Sequence, residues 1–174
     1  MERVKKGMLF LFLFLLGTFQ ESPAIAEIET LFSPGGSIKE NLQKEMESAT
    51  STLDLAIHEI TSLDMAQVLV KTKQRGVKVR VIADSKQANI RTSKITYLIQ
   101  QGILVKVLGQ KERGVMNHRF AILDGKRVIT GSFDWSEASL KWNYETLLVL
   151  YGPDVVYKYQ NEFERLWREK RVIE

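Results

Sequence analysis

The chain has 174 residues, a formal net charge of +4, and 44% hydrophobic and 26% charged residues. That length buries a full core, and the composition is that of a globular protein, which excludes a disordered or low-complexity chain. There is no cysteine, so disulfides and thiolate metal sites are excluded; the mild basic excess fits either a phosphate-bearing partner or a solvated surface.

Arg3, Lys5 and Lys6 precede an apolar stretch over residues 8–19, and Ala24-Ile25-Ala26 gives a small-x-small pattern before Glu27. This predicts a secretory signal peptide over residues 1–26, cleaved on export from a bacterial cytoplasm, with a membrane anchor as the lesser alternative. The apolar stretch falls short of the ~20 residues that span a bilayer. Residues 27–174 then form the mature domain. They show no linker, low-complexity tract or internal repeat.

A strand over residues 28–31 leads into the turn Ser33-Pro34-Gly35-Gly36. Ser37 reads as a helix N-cap, with Glu40 completing a capping box. Ile38, Leu42, Met46 and Ala49 share one face of that helix. Residues 53–57 form an apolar strand. Ser62 caps a second helix with Asp64 in its first turn, and Gly76 ends it. Residues 77–83 alternate Val with Lys and Arg, a strand with one wetter face. A third helix covers 93–101 and closes at Gly102, and residues 103–108 are again a strand. Lys111-Glu112-Arg113-Gly114 reads as a loop.

Asn117-His118-Arg119 then opens a short strand over 120–123. Asp124-Gly125 is a two-residue hairpin signal, and 127–130 is the return strand. Gly131-Ser132, Phe133-Asp134-Trp135 and Asn143-Tyr144-Glu145 follow, the last heading an apolar strand over 146–150. Pro153 suits the first turn of a final helix, whose stripe is Val156, Tyr159, Phe163, Leu166 and Trp167. Strands alternate with helices through the first half. The expected fold is therefore α/β, with a central mixed sheet and helices on both faces. Small, polar and charged residues cluster at strand ends, where such sheets build their sites.

These residues resemble the phospholipase D superfamily, especially its small single-motif bacterial nucleases and its mitochondrial cardiolipin-hydrolase-like members. The signature of that group is H-x-K-x4-D, then G-S-x-N, then N-x-E. This chain carries Asn117-x-Arg119-x4-Asp124, Gly131-Ser132-x-Asp134 and Asn143-x-Glu145. Phe32-Ser33-Pro34-Gly35-Gly36, the basic stretch from Arg75 to Arg80, and Asp84 add to the likeness. The resemblance implies a phospholipase D-like α/β/α sandwich. It implies a metal-free and cofactor-free phosphodiesterase or endonuclease, a hydrolase of phosphodiester bonds in phospholipid or nucleic acid. It also implies a homodimer with both motifs at the two-fold axis.

Carried over residue by residue, the resemblance assigns the nucleophile's place to Asn117 and charge stabilisation to Asp124 and Glu145. Arg119, Ser132, Asp134 and Asn143 take the phosphate-binding places. Three positions depart from the signature. A carboxamide at 117 can neither form a phosphorylated intermediate nor relay a proton. Arg119 keeps the cation with a different geometry, and Asp134 puts a carboxylate where phosphate oxygens would lie. His58 and His118 are the two histidines available as replacements. Strand alternation turns His118 away from the side that Asn117 and Arg119 share, so a partly buried or surface histidine is its plain reading. His58 follows a strand that can bring it toward Asn117.

Three functions fit these residues. The first, to which the extent of the resemblance assigns the chain, is a phospholipase D-type phosphodiesterase with an altered motif. The second is a non-catalytic relative that binds phosphate-bearing ligands or pairs, as a mixed dimer, with an intact-motif chain. The third is a structural protein in which the old site is packed core. Lys73, Arg75, Lys78 and Arg80 read as a helix end and strand face, or as a contact for nucleic acid or anionic lipid. Trp135 and Trp142 read as packing, or as surfaces for a base or an acyl chain.

Overall fold

The computed structural model describes residues 27–34, 36, 38–110 and 114–169. The expected signal peptide, the Ser37 cap and the 111–113 loop lie outside the described residues. Eight strands form one sheet: β1 (Ile28–Ser33), β2 (Thr52–Ile57), β3 (Lys78–Asp84), β4 (Leu104–Gln110), β5 (Gly114–Val115), β6 (Arg119–Leu123), β7 (Arg127–Gly131) and β8 (Glu145–Tyr151). Their order is β1-β8-β7-β6-β2-β3-β4-β5. The β2–β3 and β3–β4 pairs are parallel and the other pairs antiparallel, so the sheet is mixed as expected.

Alternation along the strands feeds two cores. Leu53, Leu55 and Ile57 of β2 point into one layer with Val79 and Val81. There they meet α1 (Ile38–Ser48), α2 (Leu63–Gln74) and α4 (Ile95–Gln100) through Leu42, Met46, Leu69 and Leu98. Ala56, Ile82, Ile122 and Val128 point the other way, onto Val156, Phe163 and Leu166 of α6 (Pro153–Arg168). The α6 stripe is the one its spacing predicts, with Phe163 fully buried.

The basic stretch is spent on this framework. Arg75 donates to the carbonyls of Met46, Glu47 and Ala49 and so closes the end of α1. Arg80 grips Asp54 in bidentate fashion at 2.7 Å, bonds Glu164 at 2.6 Å, and lies 4.8 Å over the Phe163 ring. That pins α6 to the wetter face of β3. Lys73 donates to the Gln101 carbonyl.

Several local expectations are corrected. Two short helices, α3 (Ser85–Ala88) and α5 (Glu137–Lys141), and the two-residue β5 (Gly114–Val115) appear where the sequence reading assigns no helix or strand. Ser62 occupies the N-cap position of α2, but its hydroxyl makes no capping bond. The hairpin turn leaves three residues between the paired Leu123 and Arg127, with Asp124 and Gly125 both left-handed at φ 54° and 61°.

Candidate functional site

The antiparallel register brings four strand ends to one edge of the sheet. Ile57 pairs with Arg119, Phe120 with Thr130, and Gly131 with Leu147. His58 beyond β2, Asn117 before β6, Ser132 beyond β7 and Glu145 at the head of β8 therefore share that edge. Gly131 makes the crossing possible. Its φ is +151°, and a Cβ there would lie 2.0 Å from the Thr146 carbonyl oxygen.

Two polar clusters occupy the edge. The first centres on Arg119, which is half-buried. One terminal nitrogen donates to Asn117 Oδ1 at 2.9 Å and to the Asn117 carbonyl at 3.3 Å. The other donates to Asp134 Oδ2 at 2.8 Å. Asp134 is anchored a second time, its Oδ1 accepting the Glu59 N–H at 3.2 Å. Arg119 Nε is buried without a hydrogen-bond partner. Asp134 is thus turned toward the cation and neutralises it.

The second cluster surrounds the buried Glu145 carboxylate. Ser132 Oγ donates to Oε2 at 2.5 Å, while Ser139 Oγ and Asn143 Nδ2 donate to Oε1 at 2.9 and 3.0 Å. Ser33 ties β1 into the same corner. Its hydroxyl donates to the Asn143 carbonyl at 2.9 Å and accepts the Glu145 N–H at 3.2 Å. Three neutral donors thus satisfy this buried carboxyl group.

The structure separates the remaining candidates. Asp124 sits at the opposite end of β6, beside Thr52 at the start of β2. Its carboxylate accepts from the backbone of Thr50, Ser51 and Thr52, so it closes the α1–β2 loop and does not reach Asn117. His118 points to the α6 side as alternation requires. Its Nε2 lies 3.2 Å from Glu162 Oε1, and its ring meets Phe120 edge-on. His58 stays at the site's margin, its Nδ1 3.3 Å from the Met116 carbonyl oxygen. Trp135 is core, bridged to Ile60, whereas Trp142 and Tyr144 stand out at 75% and 89% exposure on the rim.

Sequence reasoning missed three supports. Ser139 is one, and the Ser136-x-x-Ser139 start of α5 was its available signal, with Ser136 capping the Ser139 N–H. The Glu59 N–H has no sequence signal at all. The third is Asp84, seen in the sequence only as a strand-end acid. Its Oδ2 accepts the Met116 N–H at 2.9 Å, and its Oδ1 caps α3. A cavity of about 390 Å³ adjoins this support, lined by Leu108, Met116, Asn117, His118 and Arg165 among others. Among the described residues no cluster of His, Cys, Asp or Glu gathers to hold a metal.

A mixed sheet between two helical layers, with a polar site where β2, β6, β7 and β8 end, defines a phospholipase D-like α/β fold. The chain belongs to the family described as "Cardiolipin synthase, PLD-like domain", whose model matches residues 42–167. Among curated proteins it is 38% identical to the mitochondrial cardiolipin hydrolase of Chlamydomonas reinhardtii, over 69% of this chain and 53% of that protein. It is 34% identical to that of Mus musculus, over 74% of this chain and 57% of the other. The chain thus spans little more than half the length of these relatives. Among solved structures, NucT from Helicobacter pylori superposes with a TM-score of 0.76 at 26% identity, covering 82% of this chain and 96% of that one. Nuc from Salmonella typhimurium, a phospholipase D family member, gives the same TM-score at 23% identity, over 84% and 97%, a likeness of fold.

The curated relatives are named as cardiolipin hydrolases. The expected export from a bacterial cytoplasm is corrected. The curated relatives above are mitochondrial proteins of eukaryotes, not secreted bacterial ones. No helix among the described residues is long and apolar enough to cross a membrane.

Proposed function

We propose that this chain is a phospholipase D-type phosphodiester-binding protein whose own motif lacks the nucleophile. It recognises a phosphodiester, of phospholipid or nucleic acid, and turnover requires a histidine from an intact-motif chain paired with it. One observation carries this reading. The nucleophile's place holds the Asn117 carboxamide, whose oxygen already accepts a hydrogen bond from Arg119, and no imidazole touches that cluster. A carboxamide offers no basic lone pair for attack on phosphorus. Three residues of the signature stand together, with Ser132 and Asn143 both donating to Glu145.

The position of His58 favours a second reading. Its ring contacts the residue before Asn117, whereas His118 is bonded to Glu162 of α6. As a relocated nucleophile or general acid it would make the chain a hydrolase by itself.

The test is metal-free hydrolysis of bis(4-nitrophenyl) phosphate, with chelator present, by the natural chain, Asn117→His and His58→Ala. An inert natural chain and a hydrolysing Asn117→His variant support the binding role. Turnover by the natural chain that disappears in His58→Ala overturns it in favour of the relocated histidine.

A further inference from the structure

The three departures from the motif, Asn117, Arg119 and Asp134, are bonded to one another, and Asp134 is held from behind by the Glu59 N–H. We propose that Asp134 is a built-in counter-ion that occupies the phosphate-gripping edge of Arg119 and sets how tightly this site takes an anion. This inference rests on the phosphodiester-binding reading and adds the residue that governs it.

The geometry leaves an incoming anion little choice. Of the guanidinium's nitrogens, Nε faces the interior, where it is buried. The two terminal nitrogens each already have a partner, one the Asn117 oxygen and one the Asp134 carboxylate. A phosphodiester that seeks both terminal nitrogens of Arg119 competes with Asp134 for one of them. Asp134 cannot simply swing clear, because its other oxygen is fixed by the Glu59 N–H and its side chain is only 14% exposed. The displaced carboxylate would remain beside the bound phosphate as an unpaired, largely desolvated charge. Like charges at such distances oppose each other by kilocalories at the dielectric of a protein surface.

The charge at the site tells the same story. Arg119 contributes one positive charge and Asp134 one negative charge, so the pair offers an anion no net positive charge. Neutral Asn at 134, the residue of the family signature, would retain a side-chain oxygen for the Glu59 N–H. It would also free one nitrogen of Arg119 and remove the repulsion. Arg119, Asn117 and Asp134 therefore act as one unit, and their effects on binding are not additive.

The experiment titrates dimethyl phosphate, a monoanionic phosphodiester without bases or acyl chains, into the natural chain, Asp134→Asn, Arg119→Gln and the Asp134→Asn/Arg119→Gln double variant. Binding is followed by backbone amide chemical shifts at low salt, and the same spectra verify that each variant is folded. Asp134→Asn is expected to bind at least about tenfold tighter than the natural chain. The gain should vanish when Arg119→Gln is added. Equal affinity of the natural chain and Asp134→Asn overturns the proposal, and so does a gain that persists without Arg119. Asp134→Gly, which empties the position, serves as a second route to the same comparison. If Asp134→Asn gains nothing while Asn117→His hydrolyses, the counter-ion is refuted and the phosphodiester reading survives. If Asp134→Asn gains affinity but no variant carrying a histidine at 117 hydrolyses, the counter-ion stands and the phospholipase D-type reading of turnover falls.

Discussion

Asp124→Asn tests whether the acid of the motif serves stability rather than the site. The Asp124 carboxylate accepts the N–H groups of Thr50, Ser51 and Thr52 at 2.7–3.1 Å, together with the Thr50 and Ser51 hydroxyls at 2.9–3.0 Å. Burial pulls its pKa upward, but the backbone N–H groups of Thr52, Ser51 and Thr50 outweigh that and hold it well below the usual carboxylate range. Asn keeps the side-chain shape and tolerates the left-handed backbone at φ 54°. It offers one acceptor instead of two, and its NH2 group then faces the Thr50 N–H. A hydrogen bond to a charged group contributes ~1.5–3 kcal/mol, and solvent at this half-buried turn trims that. The expected loss is about 2 kcal/mol, or about 4–8 °C in Tm for a chain of this size.

The sign of the pH dependence follows from the depressed pKa. The carboxylate's stabilisation is complete above the unfolded value of about 3.9 and is lost as pH falls toward the folded one. The gap between natural chain and variant is therefore full at pH 7 and narrows below about pH 4. Urea unfolding followed by tryptophan fluorescence at pH 7 and pH 3 measures it. A gap under about 0.5 kcal/mol at pH 7, or one that widens on acidification, refutes the reasoning. Dimethyl phosphate binding should be unchanged, because Asp124 lies at the far end of β6.

Other substitutions probe the framework and the rim. Gly131→Ala places a methyl 2.0 Å from the Thr146 carbonyl oxygen at a positive φ, so a loss on the order of 3 kcal/mol is expected in urea unfolding. A loss under 1 kcal/mol would mean that β7 and β8 part easily there. Arg80→Met strands the buried Asp54 carboxylate with Gln160 as its remaining side-chain donor and should cost about 3 kcal/mol. The same unfolding assay reads it, and a neutral outcome would show that Asp54 relaxes to water. Trp142→Ala removes a side chain that is 75% exposed, so stability should stay within about 0.5 kcal/mol. Any loss of vesicle or oligonucleotide binding by that variant then reports on ligand contact.

Much of the architecture was legible because burial imposes period. The stripe of Val156, Phe163 and Leu166 and the face of Ile38, Leu42 and Met46 both read directly as helices packed on a core. The alternation that turns His118 away from Arg119 was equally readable, and Glu162 is what it meets. The placement of Asp124 was within reach too. A strand rises ~3.3 Å per residue, so the seven residues from 117 to 124 span ~23 Å, too far for one carboxylate to orient a group at 117. Spacing within a motif was there mistaken for proximity. The ion pair between Arg119 and Asp134 was not legible, since two charges fifteen residues apart show no sign of meeting. Nor were α3 and α5, which at four and five residues are too short to show a helical period.

The peptide of Met116 is held from both directions, its N–H by the buried Asp84 and its carbonyl oxygen beside the His58 ring. Position 117 thus takes part of its backbone placement from its neighbours, and the Asn117 side chain adds one bond from Arg119. A residue there can be exchanged for chemistry without renegotiating the fold. The folding machinery of this sheet edge and its reactive tip are separable parts.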